Sequence, residues 1–103
     1  MKIPNDYIGY WRGEIADKNR GNNYDGEIVI SKDSVKTTYF MKQGDQVATP
    51  TLLFQEDGFL ILSNDVSGFT LLIYLDALHN LKCVWRDRST KLGFSSEATM
   101  TRI

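Results

Sequence analysis

Turn-forming clusters punctuate this chain at short intervals, at "DKNRGNNYDG", "KDS", "QGDQ", "EDG", "NDVSG", "DALHN" and "RSTKLGFSS". Gly, Asn, Asp and Ser interrupt regular structure because they accept positive φ or bond their own backbone. They cut the chain into eight pieces of strand length, at residues 7–16, 26–32, 34–42, 47–55, 58–63, 68–75, 81–88 and 96–103. Each piece is rich in Val, Ile, Thr, Tyr, Phe or Trp, and none offers a helical run of a dozen residues. The spacing predicts a meander of β-hairpins.

Period-two patterning assigns faces. In "GFTLLIYL", Phe69, Leu71, Ile73 and Leu75 share one face and Thr70, Leu72 and Tyr74 the other. In "LKCVWRD" the apolar face is Leu81, Cys83 and Trp85. The fourth piece is interrupted by Pro50, which cannot donate to a ladder, so that strand lies at an edge, carries a bulge or starts only at Thr51. Eight antiparallel strands in succession can bury their apolar faces as a sandwich or as a closed barrel, and closure alone removes both exposed edges. The expectation is an all-β, eight-stranded antiparallel up-and-down β-barrel formed by one domain over residues 1–103. Trp11, Ile15, Ile28, Phe54, Trp85 and Met100 are among its inward candidates. An interior of this size is either packed with side chains or holds one small ligand.

Composition narrows the function. With 12 basic and 13 acidic side chains and a net charge of -1, the chain lacks the one-signed field that phosphate backbones demand, so nucleic acid is not an expected partner. Cys83 is the single cysteine and His79 the single histidine, which leaves no internal disulfide and no ordinary zinc site. No metal or cofactor is expected. No apolar run approaches a membrane span, and "MKIPNDYIGYW" has a polar break where a signal peptide keeps its apolar stretch, so a cytoplasmic location is expected.

The first strand places Tyr7, Gly9, Trp11, Gly13 and Ile15 on one face, a large indole between two residues without side chains. Glycine in a strand marks a sharp bend or a close approach, and both suit a barrel floor. The last strand alternates Ala98, Met100 and Arg102 against Thr99, Thr101 and Ile103. If closure sets the first and last strands side by side, the Arg102 guanidinium comes to rest over the Trp11 ring, a buried cation with a cation–π partner. On Gly9-Tyr10-Trp11 and Arg102 the chain resembles the lipocalin-like, or calycin, superfamily of up-and-down β-barrels, in a compact, bacterial-type form. That resemblance implies structural roles for Gly9, Trp11 and Arg102 and a small apolar or amphipathic ligand.

In a meander, alternate connections gather at one end. Those at residues 17–25, 43–46, 64–67 and 89–95 are long or polar, and their rim is the expected mouth. There Tyr39, Met41, Phe69 and Trp85 would hold the ligand. Tyr24 and Phe94, with Arg20 and Lys91, decorate the rim loops. His79, Asp57, Asp65 and Asp76 read as turn formers, and Cys83 as a small buried hydrophobe. No nucleophile, base and acid are spaced to work together, so no enzyme is expected. Leu72, Tyr74 and Val84 fall outward on neighbouring strands and could form a contact patch in a monomer or homodimer. The function expected is a non-enzymatic binding module for a small ligand. The alternative is a protein-interaction domain, of inhibitor or immunity type, with a filled core and working rim loops.

Overall fold

The computed structural model describes residues 3–18, 21–56, 58–64, 68–87 and 95–103. A short 3-10 turn, Asn5–Tyr7, precedes nine strands: β1 Gly9–Asp17, β2 Asn22–Ile30, β3 Val35–Met41, β4 Gly44–Ala48, β5 Thr51–Glu56, β6 Phe59–Asn64, β7 Phe69–Leu75, β8 Leu81–Asp87 and β9 Ser95–Arg102. They form one antiparallel sheet in the order β4-β3-β2-β1-β9-β8-β7-β6-β5. The first and last strands are neighbours, with Trp11 opposite Arg102 and Ile15 opposite Ala98.

Nine strands stand where eight were expected, because the fourth piece is two. β4 pairs with β3, β5 pairs with β6, and Thr49 and Pro50 lie between them. Proline has no N–H to give a ladder, so pairing stops there and resumes at Thr51. As every pairing is antiparallel, β4 and β5 run in the same direction. From Ala48 to Thr51 the chain reaches at most about 11 Å, so the two outer margins of the sheet are tethered and the sheet is strongly curled. Its radius of gyration, 12.8 Å, is that of a compact chain of this length.

β2 begins at Asn22, earlier than the turn composition suggested, since Asn23 and Tyr24 pair with Ala16 and Ile15. Residues 22–26 of the polar "NRGNNYDG" run are therefore strand.

The concave face carries the core. Trp11, Ile28, Leu60, Leu62, Leu71, Ile73, Leu81 and Met100 have no exposed surface, and Ile15 has 1%. Phe54, expected inward, is 45% exposed. A register shift between Leu52 and Phe54 inserts one residue, so Leu52 still packs on the core while Phe54 turns out opposite Ile61.

The glycines of the opening motif make room. At Gly9, φ is +148°, and an added Cβ would lie 2.9 Å from an Arg102 guanidinium nitrogen. At Gly13 it would collide with the Thr99 carbonyl oxygen and press on Met100, so β9 lies across β1 only because that position is bare. Among the described residues no helix is long and apolar enough to cross a membrane.

Candidate functional site

The long-loop end gathers four aromatic residues from four strands. Tyr39 on β3 is the hub. Its ring centroid lies 6.4 Å from Tyr24 on β2, 6.5 Å from Phe69 on β7 and 6.1 Å from Trp85 on β8, with interplanar angles of 82°, 90° and 68°. These edge-to-face arrangements suit the ring quadrupoles, and each is worth about 0.5–1.5 kcal/mol beyond burial. Tyr24, Tyr39 and Phe69 are only partly buried and pack on the outer end of the core, whereas Trp85 is 6% exposed.

A polar chain runs through the cluster. Trp85 Nε1 donates to the Tyr39 hydroxyl at 3.0 Å. Thr37 Oγ1, fully buried, has the Tyr39 hydroxyl at 3.0 Å and the Ala48 carbonyl at 3.4 Å. Burial pushes the Tyr39 phenol up to about 12, against the pull of the hydrogen bonds from Thr37 and Trp85. Nearer the rim the Tyr24 hydroxyl reaches Asp17 Oδ2 at 3.5 Å, and Asp17 is 8% exposed. Of the sequence candidates, Tyr24, Tyr39, Phe69 and Trp85 thus come together, and Met41 stands half-buried at the end of β3. Phe94, Arg20, Lys91, Asp57 and Asp65 lie outside the described residues.

The other polar candidates have local duties. Asp76 Oδ1 accepts from the backbone N–H groups of Leu78 and Asn80, which shapes the β7–β8 turn, and His79 is exposed there at φ 59°. Burial raises the Cys83 thiol, which suits a core side chain rather than a nucleophile. Among the described residues no group of three or more His, Cys, Asp and Glu side chains could hold a metal ion.

The tight-turn end is built differently. Trp11 Nε1 donates to the Tyr7 carbonyl at 2.8 Å, and the Arg102 guanidinium carbon lies 4.4 Å from the centre of the indole. Arg102 also donates to the Ile8 carbonyl at 2.7 Å and the Asp6 carbonyl at 2.8 Å. Expected as a buried charge, Arg102 is exposed: it sits at the end of β9, caps the indole from outside, and keeps contact with water. Beside this cap lies a half-open groove of about 480 Å³, lined by Pro4, Asp6, Tyr7, Gln55, Glu56, Gly58 and Leu75. Sequence reasoning missed it. The "IPND" run was a usable signal, since Pro, Asn and Asp together mark a turn that folds the leading segment back under the sheet.

On the convex face, Leu72 pairs with Val84 and with Ile61, and Ile61 pairs with Phe54. The outward apolar row expected from Leu72 and Val84 therefore continues to the free edge at β5, where Leu53 is 56% and Phe54 45% exposed. Comparison of the chain with protein-family models, with curated proteins and with solved structures gives no match.

Proposed function

We propose that the protein is a non-enzymatic binding module, a lipocalin-like barrel that takes a small apolar or amphipathic ligand at its long-loop end. The observation that carries this reading is the Tyr39-centred cluster: four rings from four strands, three of them partly open to solvent, around the hydrogen-bonded Tyr39 hydroxyl. A mostly aromatic wall with a few placed polar groups, here the Tyr24 and Tyr39 hydroxyls, is the usual make-up of a small-ligand site. The barrel reading draws support from the β1–β9 pairing and from the short link that joins β4 to β5 through Thr49 and Pro50. A ligand that removes about 200 Å² of apolar surface from water gains about 5 kcal/mol gross, so binding no tighter than about 0.2 mM is expected from this contribution.

The test is a tryptophan fluorescence titration with a fatty-acid or retinoid-like probe. A saturable change in the wild type that disappears in Trp85→Phe and persists in Trp11→Phe is expected, and a strictly linear response in the wild type would defeat the reading. A second reading, a protein-interaction domain, is favoured by the density of the core, where among the described residues ten large side chains are less than 2% exposed. Under it, probe titration is silent and capture of a partner depends on the rim residues Arg20, Tyr24 and Phe94.

A further inference from the structure

The groove at the tight-turn end has two properties that belong together. The first is charge. Asp6 and Glu56 line it, and among the described residues no basic side chain does and neither carboxylate is in an ion pair. Arg102, the neighbouring cation, is turned to the carbonyls of Asp6 and Ile8 and to the Trp11 ring. Pro4, Leu75 and the Tyr7 ring supply apolar wall. Tyr7 is 5% exposed, and its phenol is raised by burial first and also by the charge of Asp6, against a backbone hydrogen bond at Leu75.

The second is backbone. β5 is a margin of the sheet, and Gln55 and Glu56 are its last two residues. Gln55 pairs with Leu60 and Glu56 with Phe59. In an antiparallel ladder such successive pairs alternate between bonded and non-bonded, so one of the two residues aims its N–H and C=O away from β6. Among the described residues nothing pairs with that edge. The groove therefore combines a strand edge with unused main-chain groups, a carboxylate on each of two of its three sequence segments, and an apolar wall.

We infer that this groove binds a short extended peptide segment bearing a lysine or arginine, its main chain added to the β5 edge and its cationic side chain set among the carboxylates of Asp6 and Glu56. Strand addition supplies the affinity in such complexes, and pockets for alternate side chains supply the selectivity. The aliphatic stem of Lys or Arg suits a wall of Pro4 and Leu75 while its charged head stays near water. An acidic segment would meet two like charges without compensation.

The experiment is an amide NMR titration of the ¹⁵N-labelled full chain with three probes: Ac-Thr-Lys-Val-Lys-Thr-NH₂, its Glu-for-Lys counterpart, and n-butylammonium. The lysine peptide is expected to shift the amides of Tyr7, Gln55, Glu56 and Gly58 saturably and to bind at least tenfold more tightly than either control. In the double variant Asp6→Asn, Glu56→Gln, that affinity should fall about tenfold. Both positions are exposed, and unchanged dispersion of the Trp11 and Trp85 indole signals verifies the fold of the variant. Equal binding by the acidic peptide, shifts confined to the long-loop end, or an unchanged affinity in the double variant would each overturn the proposal. So would n-butylammonium binding as tightly as the peptide, because the strand edge would then contribute nothing.

Discussion

Each end of the curled sheet is stopped by a tryptophan, and the two indoles are held by different kinds of partner. Trp11 gives its N–H to a backbone carbonyl, that of Tyr7, and lies under a guanidinium which itself grips two further carbonyls. Trp85 gives its N–H to a side-chain hydroxyl, that of Tyr39, amid rings that touch it edge to face. A backbone partner moves only if the chain moves. A side-chain partner can change rotamer and leave the strands where they are. The tight-turn end is thus a fixed floor, while at the long-loop end side chains can change rotamer with the strands in place.

Substitution at the two tryptophans is the most severe way to break this contrast. Trp11→Ala should lower stability by about 3–5 kcal/mol, the usual range for an aromatic removed from a sealed core. Trp85→Ala should lose less, since the partly open Tyr24, Tyr39 and Phe69 can settle into the space. Urea midpoints at constant slope compare the two, and equal losses would mean that both ends are equally rigid.

The floor also depends on bare backbone. Gly13→Ala should cost about 1–3 kcal/mol by thermal or urea unfolding, because the new methyl meets a β9 carbonyl that cannot step aside. Gly26→Ala should cost less, as the methyl there meets the flexible tip of Ile15.

Tyr39→Phe sharpens the view of the other end. It leaves Trp85 Nε1 without its acceptor, at a cost of about 1–2 kcal/mol. It also changes the response to alkali. A phenol whose folded value is raised, from 10.0 to about 12, lends stability that is complete below pH 10 and is lost as pH climbs through 12. The wild type should weaken between those values, and Tyr39→Phe should weaken less steeply there, with the raised Tyr7 and Cys83 accounting for the remaining slope. Smallest of all is Phe54→Ser, expected within about 0.5 kcal/mol of wild type because the ring is outside the core. A loss like that of Trp11→Ala would restore the inward reading of β5.

The sequence made the core legible wherever alternation ran unbroken. Phe69, Leu71 and Ile73, or Leu81, Cys83 and Trp85, lie on the concave face because nothing between them disturbs a two-residue period. It misled at β5, where one extra residue near Leu53 reverses the parity, and no local signal beyond Pro50 announces a bulge. Four of the candidate ligand contacts could be proposed together since inward positions near one end of neighbouring strands must converge. The Thr37–Tyr39–Trp85 hydrogen bonds could not, because they depend on how far each side chain reaches across the interior. The groove beside Asp6 escaped for a related reason: it joins segments about fifty residues apart, and only the curl brings them face to face.

The sheet order is the chain order rotated, with its single break between Ala48 and Thr51. A circular permutant opened before Pro50, with residue 103 linked back to residue 3, would therefore read straight across the sheet as an unbroken meander. Every hydrogen-bonded strand pair would then be a sequence neighbour, and the short chain link between the two margins would be gone.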